Sequence, residues 1–285
     1  MHLGKPKNLL IVILLLSNAL LAGMLGWRVW EGARARAEAD RNIIELLARQ
    51  GVNISKLPDS QLRVPSLAAR RPHGEEALAV SYLLGETEAE DTGGIITDYS
   101  GVAGAAQFQA GGRFVIRPAA GGPQDAENGR LTDAPDISAG ALTAAAAKTL
   151  AGMGLKNISK DAEYAEAPGG ARAVTFGQSV QGCVVFNAYA EMTYDASGRL
   201  AQAGGLWCFG SPQPDSAEPC RSAGSVLLEY AASLEGRTLD ILDMRLGYRL
   251  RPLPPDAVRL SPEWLIVCAD REIYLDAYTA QPSME

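Results

Sequence analysis

The sequence predicts an α+β fold, with helices packed on twisted antiparallel sheets and one long apolar helix ahead of them. Three observations predict it. The chain opens on an uncharged apolar stretch. A transition from helix to glycine stop to strand recurs, in LARQGVNISK (Leu47 to Lys56), in LAGMGLKNISK (Leu150 to Lys160) and in SLEGRTLDILDM. Between these helices lie runs of strand-forming residues broken by Ser-Gly and Gly-Gly turn signals.

The first element is the apolar stretch LLIVILLLSNALLAGMLGW, from Leu9 to Trp27. As a helix it spans roughly 28 Å, close to a bilayer core of about 30 Å. It exceeds the apolar region of about 7 to 15 residues found in a cleavable signal, so an uncleaved transmembrane helix over 9–30 is expected behind a short N-terminus, 1–8. The small-x-small sites Ala33-Arg34-Ala35 and Ala35-Arg36-Ala37 leave cleavage open. Trp27 and Trp30 suit the aromatic belt at the exit. Lys5 and Lys7 on one side and Arg28, Arg34, Arg36 and Arg41 on the other do not fix the orientation. Within the span Ala19, Ala22, Gly23 and Gly26 fall at spacings of three and four, a face that lets another membrane helix approach closely, and Asn18 adds a group able to hydrogen-bond across a helix pair.

About 255 residues follow the span, enough for one large domain or two small ones. EGARARAEADRNIIELLARQG reads as a stalk helix within 31–57 that continues the anchor outward. VNISKLP and LRVPSL read as short extended pieces, confined to edges or loops by Pro58 and Pro65. An N-terminal α+β unit over 58–120 comprises a helix near Gly74 to Leu84 and a meander of GIITDYSG, AAQFQAGG and RFVIRP. The Gly/Pro/Asp-rich 121–135 reads as a linker, and 136–285 as a second unit with two helix-plus-strands repeats. Its first helix has Asp136 or Ser138 as N-cap and Gly154 as its end. The strands LKNIS, RAVTFGQ, VVFNAYAEMTYD and RLAQAGGLWCFG follow, the last two joined by Ala-Ser-Gly in a hairpin. CRSAGSVLLEYAASLEGR is the second helix, and LDMRLGYRLRP, WLIVCAD and EIYLDAYT complete a further meander.

Composition narrows the function. With 47% apolar and 21% charged residues and a net charge of -7, the chain lacks the clustered Lys/Arg that phosphate neutralisation needs, so no nucleic-acid partner is expected. The four cysteines, Cys183, Cys208, Cys220 and Cys268, lie in the last third of a membrane-attached chain, where an even number suggests disulfides. Cys208 and Cys220 flank the Pro/Ser-rich FGSPQPDSAEP and are the first pair to consider, leaving Cys183 paired with Cys268 or both as free buried thiols; four reduced core cysteines are the alternative. No C-x-x-C spacing and no phosphate loop are present, so no metal and no cofactor are expected. His73, in RRPHGEE, reads as a solvated residue at a helix start, and GETEAED as a solvated loop without calcium-loop spacing. The sequons at Asn53 and Asn157 read as polar strand-start residues. No catalytic set is recognisable, and recognition rather than turnover is expected.

The closing stretch LSPEWLIVCADREIYLDAYTA, with its Pro-x-Trp, strand, polar turn and Tyr-x-x-Asp-Ala, resembles the end of the YycI/YycH regulatory proteins, whose units are similar to PepSY-type helix-plus-sheet modules. The chain order also resembles YycI: an N-terminal anchor, a stalk ending LARQGVNI then LP, a helix ending SYLLG, the strand GGRF, then VVFNAYAEMTYDASGRLAQAGGLW. The resemblance implies a bitopic, non-enzymatic protein of Gram-positive bacteria, N-terminus cytoplasmic and sheet domains extracellular. It implies modulation of a WalK-type sensor histidine kinase controlling cell-wall metabolism, with a YycH-like partner, and gives the face of Asn18, Ala19, Ala22, Gly23 and Gly26 a purpose. The alternative is a tethered PepSY-like module acting on an envelope hydrolase or peptide.

Overall fold

A computed structural model describes residues 4–59, 63–119 and 138–283 of the chain. Helix α1 (Gly4–Arg49) is the anchor and the stalk in one piece. It ends where Gly51 takes φ 83°, a left-handed conformation that costs glycine little, and β1 (Val52–Ile54) begins at once. The same sequence of events follows α3 (Ala139–Gly152), where Gly154 has φ 78° ahead of β7 (Ile158–Glu166). The echo between the two stretches is therefore a repeated way of leaving a helix for a strand.

The N-terminal half continues with β2 (Pro65–Arg70), α2 (His73–Leu84), β3 (Glu88–Thr92), β4 (Ile96–Gly101), β5 (Gly104–Gln109) and β6 (Arg113–Pro118). After α3 and β7 come β8 (Arg172–Val180), β9 (Cys183–Tyr194), β10 (Leu200–Leu206), β11 (Gln213–Pro219), α4 (Ala223–Ala232), β12 (Leu239–Leu253), β13 (Ala257–Cys268) and β14 (Glu272–Asp276). The strands join into one 14-stranded sheet in the order β11-β2-β13-β12-β9-β10-β6-β5-β4-β3, with β1 on β12, β14 on β13 and the β7–β8 pair branching from β9. Pairing is antiparallel except for β1 with β12 and β12 with β9, the latter meeting at Tyr248 and Val185. The α+β class with its leading apolar helix is thus what the chain forms.

Ser138 caps α3, its hydroxyl accepting from the Ala141 N–H at 3.3 Å. Asp136, the other candidate cap, and residues 121–135 lie outside the described residues. The Ala-Ser-Gly hairpin between β9 and β10 is held by Asp195, whose Oδ1 accepts from the Ser197 hydroxyl at 2.6 Å and from the N–H groups of Ser197 and Arg199. Three expectations need correction. LRVPSL is no edge: β2 lies between β11 and β13, and Pro65 is tolerated because it opens the strand, where no ladder donor is needed. QPDSAEP is a strand, β11, with a break in register between Pro214 and Pro219, and it forms the sheet edge that a proline-bearing strand can occupy. The acidic run beyond Gly85 is also an edge strand, β3, exposed throughout and paired with β4 from Glu88 to Thr92; its charges discourage edge-to-edge association.

Two cores result, and each draws residues from both sides of 121–135. One gathers Leu47, Val52 and Leu67 with Val226, Leu227, Tyr248, Trp264 and Ile266 beneath α4. The other gathers Val80, Leu84, Phe108, Phe114 and Ile116 with Leu142, Leu150, Phe176, Met192 and Trp207 beneath α2 and α3. The link is β10, which pairs with β9 on one side and with β6 on the other.

Candidate functional site

The apolar part of α1 is exposed along its whole described length, from Ile11 through Trp30, and among the described residues it is the one helix long and apolar enough to cross a membrane. Ala19, Ala22, Gly23 and Gly26 occupy positions i, i+3, i+4 and i+7, so they share a face, with Asn18 beside it. A methyl group placed on Gly23 or Gly26 would meet nothing within 4 Å, so the whole face is open to a neighbouring helix. The end of the apolar stretch nearer the sheet is marked by Trp27 and Trp30, ring centroids 5.4 Å apart, with the Arg34 guanidinium 5.8 Å above the Trp30 ring.

Where α1 reaches the sheet it changes from exposed to built in. Leu47 is fully buried, Ile43 and Ile44 pack on the same core, and Ile43 lies against Gly224 at the start of α4. Gly224 leaves the room this approach needs: a Cβ there would sit 3.1 Å from Ile43 Cδ1. Asn53, the first sequon residue, donates to Asp240 at 2.7 Å across the β1–β12 ladder, a sheet-pairing role. Asn157, the second, takes φ 63° just before β7.

All four cysteines are free and buried. Neither Cys208–Cys220 nor Cys183–Cys268 is bonded; for the first pair, the segment between the two cysteines is drawn out as a strand instead of closing as a loop. Cys208 belongs to a backbone clasp with Gln178, whose amide donates to its carbonyl at 2.9 Å and accepts from its N–H at 3.0 Å. Burial, then the Glu75 charge, push the Cys208 thiol up to about 12. The Cys220 sulfur accepts from the Val64 N–H at 3.3 Å, and burial raises its thiol as well. Burial and then the neighbouring Cys220 raise the Cys183 thiol. Burial also raises Cys268, and none of the four is prepared as a nucleophile.

Two buried ion pairs escaped the sequence reading. Arg71 and Glu76 are 4% and 3% exposed and join through two bonds, of 2.7 and 2.9 Å; Arg71 also donates to Gly94 O, Thr97 Oγ1 and Phe108 O, pinning α2 to the β4–β5 meander. Glu263, fully buried on β13, accepts from Arg249 at 2.9 Å, Arg251 at 2.6 Å and Ser283 at 2.8 Å, while Arg249 stacks 4.5 Å from the Tyr274 ring centre. The signal for the second was present: Arg249 and Arg251 stand two apart in a strand and so share a face. With every carboxylate oxygen engaged, neither pair is arranged as an acid and a base. His73 is half exposed, 3.9 Å from Glu76, and among the described residues no group of three His, Cys, Asp or Glu gathers as metal ligands.

A groove of about 280 Å³ lies between β9 and β12, lined by Pro58, Cys183, Val184, Phe186, Met244, Arg245, Leu246 and Leu265. Of these, Val184 is half exposed.

No family model matches the sequence, and no curated protein matches it. Among solved structures, an uncharacterized protein from Eubacterium rectale is similar at 10% identity and a TM-score of 0.48, over 86% of this chain and 98% of that one. The C-terminal domain of Bacillus megaterium YpeB is similar at 14% identity and a TM-score of 0.35, over 76% of this chain and 97% of that one. At these values neither likeness assigns a family or a function.

Proposed function

We propose that this protein is a non-enzymatic, membrane-anchored regulator that modulates a WalK-type sensor histidine kinase in cell-wall homeostasis, with its N-terminus cytoplasmic and its sheet domain extracellular. The observation that carries the reading is the continuity of α1: one helix holds an open small-residue face in its apolar stretch and reaches the sheet domain, where its Leu47 is fully buried in the core. A mere tether has no need of either feature. Regulation requires two states that the partner distinguishes, and a helix shared by both compartments is a physical route between them. The test replaces residues 9–27 with an unrelated apolar helix of equal length. Kinase-dependent transcription should then lose its regulation while the ectodomain is still displayed at the cell surface; unchanged regulation overturns the proposal.

The groove between β9 and β12 favours a second reading, a tethered PepSY-like module that engages an envelope hydrolase or peptide. That module keeps its activity after the same replacement, and loses it when Val184→Asp or Met244→Asp places a charge in the groove.

A further inference from the structure

We infer that the membrane helix and the sheet domain form one rigid lever of fixed azimuth, in which the ectodomain overhangs the small-residue face. Three observations on the joint carry this. Helix α1 passes from the apolar span into the stalk with no turn or loop, as a single 46-residue element. One face of its last turns docks on the core: Leu47 is fully buried, Ile43 and Ile44 pack partly buried against the same cluster, and Ile43 lies against Gly224 of α4. Beyond the helix the chain is fastened immediately, the Gly51 carbonyl accepting from the Leu239 N–H at 2.9 Å and β1 pairing with β12 from Val52 to Ile54. A hinge between domains requires a segment whose backbone bonds end in solvent, and here they end in the core.

The azimuth follows from helix geometry. Eighteen residues make about five full turns, roughly 27 Å of rise. Gly26 and Ile44 are that far apart, so the small-residue face lies within about 60° of the face, Ile43, Ile44 and Leu47, that docks on the sheet domain. A helix seated on the former therefore rises beneath α4. Motion of the anchor reaches α4 directly. From there it reaches β13, since the carbonyl of Arg221, just before α4, accepts from Trp264 Nε1 at 3.1 Å.

This lever rests on the joint, not on who the partner is, so it stands or falls separately from the kinase. The test is pulsed electron resonance on the full chain in lipid nanodiscs, with spin labels carried by noncanonical residues at the exposed positions Ala33 and Leu242. The lever predicts a single narrow distance distribution. It also predicts that two alanines inserted after Ala37, a rotation of about 200°, move the whole peak without broadening it. The double variant Ile43→Ser, Leu47→Ser sets the width of a loosened joint. A distribution in the unmodified chain as broad as that one, or a peak that ignores the insertion, overturns the inference. Should the loosened variant not fold, the unmodified chain decides alone, a narrow peak supporting the lever and a broad one overturning it.

Discussion

Glu76 is 3% exposed at its side chain and gives both carboxylate oxygens to Arg71, which is 4% exposed. Removing one partner of such a pair leaves a buried charge uncompensated, so Arg71→Ala should cost about 3–5 kcal/mol in urea unfolding. The exposed Arg49–Glu45 pair is the control, and Arg49→Ala should cost under about 0.5 kcal/mol. The thiols give a second prediction: without reductant, native protein should react with no thiol reagent, and unfolded protein should yield four thiols per chain, the number that are free and buried. Two or none on unfolding would mean disulfides that the structure lacks. Because burial raises the Cys208 thiol from an ordinary value of 9.0 to about 12, its neutral form is the folded form. Its contribution to stability is whole below pH 9 and is lost as the pH climbs toward about 12. Asp195 works in the opposite direction: burial pushes its carboxyl up, but hydrogen bonds from Ser197 and Arg199 outweigh it and hold the carboxyl low. Its contribution is present above the ordinary carboxylate range and is lost as the pH falls through the lowered value. Unfolding midpoints measured across pH should decline at both ends.

At the scale of elements, periodicity and caps were legible and pairing was not. The helix ends at Gly51 and Gly154 were readable because a left-handed residue after a helix has a local cause. Ser138 as N-cap was readable for the same reason. The edge strands β3 and β11 were not, because acidic and proline-bearing segments become strands only when a neighbour supplies the ladder: β4 for one, β2 for the other. The stalk was read correctly as a helix that continues the anchor outward, and the structure forms the two as one element although composition changes at Trp30. That union makes two predictions. Leu47→Ala, at the fully buried residue of the joint, should destabilise the sheet domain by about 2–5 kcal/mol. One alanine inserted between Ala33 and Ala37, a turn of about 100°, should abolish regulation in a transcriptional reporter, and seven, close to two whole turns, should restore much of it. Equal activity of both insertions would contradict mechanical coupling through the stalk.

For the whole molecule, the fold class was legible, but the division of the core was not. Hydrophobic pattern tells which face of a strand is buried, not against which strand, so a boundary placed at a low-complexity segment could not show that β6 pairs with β10 across it. The candidate site was half legible. Small residues at helical spacing mark Ala19, Ala22, Gly23 and Gly26 from sequence alone. Their alignment with the docking face depends on an unbroken backbone over 46 residues, which no local signal specifies. The central claim is that this membrane face meets a signalling partner. The measurement that tests it most directly is photocrosslinking in living cells from a photoreactive residue at Gly23, followed by identification of what is captured. The account predicts capture of a sensor histidine kinase through one of its membrane helices, and loss of the product when Gly26→Leu fills the adjoining face. Capture of lipid alone, together with crosslinks from Val184 to an envelope protein, would contradict it.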